Sequence, residues 1–265
     1  MSEDAILVQV NDVEVSLRQV VRQLGVADNL HFFNGFARRE LIRQLARREG
    51  ICAAQEDIQR KVDEWRYQHR LEQVVDTEAY LAKRGITLQD VTEDAEVRQL
   101  EYLLSEKIAK GQVESYFAQH TLAFDEAEVC WIFHTDKSVI DEIDLQIRND
   151  GADFYAMARR FSQDARTRPG SGFLGRVRRK QLPKGIAARV FAVSIGEILG
   201  PEKVSKGFAL YLVQERYPAT LNERIKKEIR KHLFNQWLQR EVQKADIRYP
   251  IWQGKSKKIK RTGPH

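Results

Sequence analysis

The chain has 265 residues, 42% hydrophobic and 31% charged, with a formal net charge of +6, a size that allows one large domain or two modest ones. Its two cysteines, Cys52 and Cys130, are too few for a disulfide framework and lack Cys or His neighbours at metal-ligand spacing. No apolar run approaches the roughly 20 residues of a membrane span, and the acidic opening MSEDAILVQVNDVEV has no secretory pattern, so the expectation is a soluble cytoplasmic protein.

In chain order, VQVNDVEVS alternates around Asn11-Asp12 and predicts a small opening strand or hairpin. From Ser16 to about Gln119 the apolar spacing is helical. Phe33, Phe36, Ala37 and Leu41 recur at three and four residues, as do Ile58, Val62 and Trp65, and both stripes read as helical core. Gly50 and Gly85 mark helix stops. Thr77 and Thr87 each precede a helical segment, with Glu78 and Asp90 in the first turns. Residues 1–126 form this first, helical region, with 16 Lys and Arg against 23 Asp and Glu.

At Glu126 the rhythm changes. EVCWIFHT is a β-branched and aromatic run, SVIDEIDLQIRNDG and ADFYAMARRFS are helical, and FALYLVQERY is a final strand. Helices interspersed with strands over residues 127–218 describe a small α/β or α+β module. After Pro218, residues 219–247 make a long amphipathic helix capped by Asn222, with Ile225, Ile229, Leu233, Trp237 and Val242 in one stripe. The acidic helical region is its expected partner. Residues 248–265 read as a basic disordered tail.

The stretch RPGSGFLGRVRRKQLP places Gly170, Gly172 and Gly175 in G-x-G-x-x-G spacing, but a dinucleotide site needs a strand before the first glycine and a helix after the last. Here a helical segment and Pro169 precede it. Four cations would crowd the positive end of any helix that followed, and Pro183 interrupts it. Between Ala158 and Arg189 stand ten Lys and Arg against one acid, Asp164, a patch able to neutralise phosphates. Without zinc-finger spacing or an RNA-binding aromatic signature, a solvated or partner-facing basic loop is the better reading, and nucleic acid stays a lower alternative.

Taken as a unit, residues 127–218 resemble a parvulin-type peptidyl-prolyl isomerase domain. The segments that carry the resemblance are GADFYAMARRFSQDA, GSGFLGRVRRKQLP, ARVFAVSIGEILGPEKVSKG and FALYLVQE, four matches in the family's order. The helical region before them, through phrases such as ARREGICAAQEDIQRKVDE, resembles the chaperone-like N-terminal domain of the exported parvulin foldases. The resemblance implies an α+β parvulin fold with a small antiparallel or mixed sheet, plus an all-α domain completed by the C-terminal helix. It implies rotation of X-Pro bonds in unfolded or proline-containing polypeptide, with no cofactor and no metal.

Carried over position by position, the resemblance puts Asp164 at the family's Cys or Asp. It puts Leu182 at a proline-pocket position and Ile186 in place of the usual Phe, with Leu174 close by. The ungapped register puts Phe133 at the first histidine position and His134 one residue beyond, on the opposite strand face; a bulge would bring His134 into use. Ala209 stands where the second histidine belongs, and Val204 where a Thr is usual. Two readings therefore stay open: an isomerase with an eroded, weakly active site, or a non-catalytic peptide-binding chaperone or export-associated scaffold.

Overall fold

A computed structural model describes residues 5–27 and 31–249; the basic tail expected over 248–265 lies, from residue 250 on, outside the described residues. The chain divides into two compact units, residues 1–110 with 230–265, and residues 111–229.

The first unit opens with the hairpin β1 (Ile6–Val10) and β2 (Val13–Ser16), turning through Asn11 in the left-handed region at φ 54°. Ser16 then caps α1 (Leu17–Val26) in a reciprocal box with Gln19. Next come α2 (His31–Arg48), α3 (Gln55–Gln68), α4 (Val74–Arg84) and α5 (Leu88–Ala109). Gly50 and Gly85 have positive φ at the ends of α2 and α4 as expected, and Thr87 forms a capping box with Asp90.

Two features differ from expectation. α4 starts at Val74, three residues before Thr77, because the Thr77 hydroxyl bonds back to the Gln73 carbonyl at 3.0 Å inside the helix instead of capping it. Phe36 is 60% exposed, so it leaves the proposed stripe.

One core joins Ile42 and Leu45 of α2, Leu100 and Leu104 of α5, and Phe234 and Leu238 of α10 (Glu223–Lys244). A second joins Ile58, Val62, Leu81, Val91 and Ala95. The C-terminal helix does pack with the helical region over its second half. Its buried apolar residues there are Phe234 and Leu238, one position on from the expected Leu233 and Trp237, which are only partly buried.

The second unit contains α6 (Val113–Phe124), β3 (Glu126–His134), α7 (Lys137–Asn149), α8 (Phe154–Phe161), β4 (Phe173–Arg178), α9 (Lys184–Val190), β5 (Ile198–Val204) and β6 (Gly207–Tyr217). Its sheet runs β4-β3-β6-β5, with every neighbouring pair antiparallel. Alternation along β3 and β6 splits the side chains between two cores. Cys130, Ile132, Leu210 and Leu212 meet α7 and α8, while Ala127, Val129, Ala209, Tyr211 and Val213 meet Ile186 and Val190 of α9. The fold is α+β.

β5 was not legible as a strand, because Gly200-Pro201 interrupts it. It lies at the sheet edge, where proline's missing N–H breaks no outer ladder. The units divide at 110/111 and 229/230, not at 126/127 and 218/219, because α6 continues the helical rhythm of the first unit while belonging to the second.

Replacing Leu104, which is wholly buried, by Ala is expected to cost about 2–5 kcal/mol, and Thr87→Ala about 1 kcal/mol. Urea unfolding followed by far-ultraviolet circular dichroism measures both, and equal losses would contradict the core assignment.

Candidate functional site

The site is built where the loop after α8 is fastened to β3. The Gln163 N–H donates to the Phe133 carbonyl at 2.8 Å, and the Phe133 N–H donates to the Oγ of buried Ser162 at 3.2 Å. This brings Asp164 beside the side chain of Trp131. One carboxylate oxygen, Oδ2, accepts from the Thr167 hydroxyl at 2.6 Å and from the Trp131 indole N–H at 3.0 Å. The other, Oδ1, accepts from the Arg166 N–H at 3.2 Å, an Asx turn. Burial pushes this carboxyl up, but the bonds from Thr167, Arg166 and Trp131 outweigh it and hold it below the usual carboxylate range.

Trp131 stands on the β3 face shared with Val129 and Phe133. Its ring stacks on Phe133 with centroids 5.7 Å apart and lies 6.1 Å from the ring of Tyr211. On this same face Leu174, Leu182 and Val204 pack, partly buried, on the cluster that contains Ile186 and Ala209. Phe133 and Ala209 are direct partners in the β3–β6 register. The structure thus brings Asp164, Phe133, Leu174, Leu182, Ile186 and Ala209 to one side of the sheet. Ala209 and Ile186 are buried and form the floor, while Leu174, Leu182 and Phe133 are the more accessible members. Burial, then the nearby Glu202 carboxylate, pushes the Tyr211 hydroxyl up to about 12.

His134 is not brought in. Its Nε2 lies 2.9 Å from the Gln163 amide, and its Nδ1 lies 3.0 and 3.2 Å from the Asp136 backbone N and O. The register irregularities of β3 fall at Glu128–Cys130, upstream, so no bulge turns His134 to the other face. The residues that reach Asp164 are Trp131 and Thr167, which sequence reasoning missed. Strand alternation from Phe133 already placed Trp131 on the right face. Among the described residues, no group of three or more His, Cys, Asp or Glu is arranged to hold a metal ion.

The glycine stretch has a structural role here. A Cβ on Gly172 would sit 2.2 Å from the Trp131 carbonyl oxygen, and φ at Gly172 is 82°. The Trp131 N–H donates to the Gly172 carbonyl at 2.9 Å, so glycine permits the close approach that sets Trp131 in place. The cations that follow are taken up internally. Arg178, 7% exposed, bonds Glu126 at 3.2 Å and Glu228 at 2.6 Å, and Lys180 bonds Glu228 at 3.0 Å. Arg176 lies over Tyr217 at 3.6 Å, and Arg179 donates to the Leu122 carbonyl at 3.2 Å.

Residues 135–215 match the family model of the rotamase PPIC-type PPIASE domain. The match begins just after β3. A foldase protein PrsA from Caldanaerobacter subterraneus subsp. tengcongensis is 24% identical over 135 residues, 51% of this chain; the chain spans 44% of that relative's length. Among solved structures, PrsA from Bacillus anthracis superposes with a TM-score of 0.51 at 17% identity, covering 83% of this chain and 99% of that one. PrsA from Bacillus cereus gives 0.49 at 18% identity, with 94% and 95% covered. The first of these shows a shared fold.

Because the Asp164 carboxyl is depressed in the folded state, its charge contributes stability above the unfolded value, about pH 4, and loses it as pH falls through the folded value. The stability gap between the native chain and Asp164→Asn is therefore expected to be full at pH 7 and to shrink at pH 3. Urea midpoints at the two pH values measure it, and a gap independent of pH would contradict the assignment.

Proposed function

We propose that this chain, whose residues 135–215 form a parvulin-type domain, acts as a foldase. It holds extended, proline-containing polypeptide against the apolar sheet face and turns X-Pro bonds modestly faster than water does. The observation that carries the reading is the set of accessible apolar side chains, Leu174, Leu182 and Phe133, on the floor of Ile186 and Ala209, bordered by the Asp164–Trp131 pair.

The chemistry needs no cofactor. Rotation about X-Pro is slow because the amide must lose its partial double bond at the transition state. An apolar wall that seats the proline ring and excludes water favours the twisted, less delocalised amide over the planar one. Polar assistance is weak in this site. Asp164 is ionised at neutral pH and so only accepts hydrogen bonds, and three internal donors already engage it. Phe133 and Ala209, paired across the strands, offer no polar atom.

The same saturation favours a second reading, a chaperone that binds peptide without turning it. Nucleic acid is not part of the proposal, since Arg178 and Lys180 are matched to glutamates.

A protease-coupled proline-peptide assay tests the reading. At micromolar protein the rate is expected to exceed the uncatalysed one, and Leu182→Glu is expected to lower it about tenfold by ruining the apolar wall. A native rate equal to the uncatalysed one sinks the isomerase; if the chain then still suppresses aggregation of an unfolded client, the chaperone reading takes its place.

A further inference from the structure

Of the ten cations between Ala158 and Arg189, those on β4 and just after it, Arg176, Arg178, Arg179 and Lys180, have internal partners, and Arg189 pairs with Glu202. Arg159, Arg160, Arg166 and Arg168 are different. All four are exposed, and among the described residues none has an ion pair. Arg159 donates to the neutral Ser171 hydroxyl at 2.8 Å, and the Arg160 guanidinium lies 4.9 Å from the Phe161 ring centroid. The nearby carboxylate, Asp164, is occupied by Thr167, Trp131 and the Arg166 backbone. Arg159 and Arg160 lie in the last turn of α8, where the helix dipole favours cations. That explanation does not extend to Arg166 and Arg168, which follow the helix. The Arg168 N–H bonds the Asp164 carbonyl at 2.9 Å, so this backbone is tied to the site.

The geometry points to a docking strip for an acidic segment of polypeptide: Arg159, Arg160, Arg166 and Arg168 take Asp or Glu side chains a few residues from the proline seated at Leu182. The strip rests on the proposed foldase reading and names its substrate class. Guanidinium pairs with carboxylate through two parallel hydrogen bonds, so four exposed arginines within ten residues favour carboxylates along one stretch of chain. Arg166 and Arg168 adjoin the apolar face through their backbone bonds to Asp164, which contacts Trp131, and Arg159 and Arg160 end the helix that leads into that loop. A nucleic-acid backbone would also need the cations of β4, and those are spent on internal glutamates.

Fluorescence anisotropy on the full chain provides the test, with three labelled probes. One is a short Ala-Pro peptide flanked by Glu, one is the same peptide flanked by Gln, and one is a single-stranded oligonucleotide of equal charge. At about 50 mM salt the Glu peptide is expected to bind roughly three- to tenfold tighter than the Gln peptide. The preference should fall towards unity in the triple variant Arg159→Gln/Arg160→Gln/Arg168→Gln. Arg166 is kept because its charge acts on Asp164. The triple variant should turn over the Gln peptide at the native rate. Equal affinities for the two peptides overturn the strip, as does a preference that survives the triple variant. Tighter binding of the oligonucleotide, lost in the variant, replaces the strip with a nucleic-acid site. An Arg-dependent Glu preference without turnover of any peptide upholds the strip and removes the isomerase instead.

Discussion

The second unit depends on how β3 is held. Its backbone pairs with β4 on one side and β6 on the other, and its side chains feed two separate cores. A strand so constrained on both edges and both faces has one allowed register, because a slip of one residue would exchange the two cores. That register puts Phe133 opposite Ala209 and points Trp131 at the loop after α8. The contact between Trp131 and Gly172 closes the arrangement, since any side chain at Gly172 would collide with the Trp131 carbonyl. The Ser162 hydroxyl and the Gln163 N–H, both bonded to the Phe133 backbone, bring Asp164 to its place.

From this follows the chemical character of the site. A strand position able to carry a polar side chain carries Phe133, and its partner is Ala209, so that part of the face is apolar. The polar end is displaced to Trp131, Thr167 and Asp164, whose hydrogen bonds satisfy one another and leave the carboxylate ionised. A closed polar set of this kind rigidifies the wall beside an apolar seat. In the proposed reading, apolar burial does the binding and polar assistance is limited, because the register sets Phe133 opposite Ala209.

Local signals were legible in the sequence. The Asn11 turn, the Thr87–Asp90 box and the stops at Gly50 and Gly85 each depend on residues within four positions, and all are present. Leu174, Leu182, Ile186 and Ala209 share one cluster because they lie in the segments that carried the family pattern. What was not legible depended on which partner the fold supplies, near or far. Thr77 reads as a cap until the Gln73 carbonyl is available to its hydroxyl. β5 reads as a turn until the sheet edge makes its proline tolerable. Trp131 has no local mark at all, because its role comes from Asp164, 33 residues away.

The arginines follow the same rule and show why a charge run cannot be read as a surface from composition alone. Arg178 is surrounded in sequence by other cations, yet its partners Glu126 and Glu228 lie 52 and 50 residues away and meet its buried guanidinium from partly exposed positions. A buried guanidinium is tolerable only when its charge is matched, so those glutamates are a requirement of burying it and not an ornament. Once they are assigned, Arg178 and Lys180 leave the count of exposed, unmatched charge, and Arg159, Arg160, Arg166 and Arg168 stand out as exposed cations with no ion pair among the described residues. The helix dipole accounts for Arg159 and Arg160 but not for Arg166 and Arg168, and charge kept in that loop beside the apolar face is the basis of the proposed preference for an acidic segment.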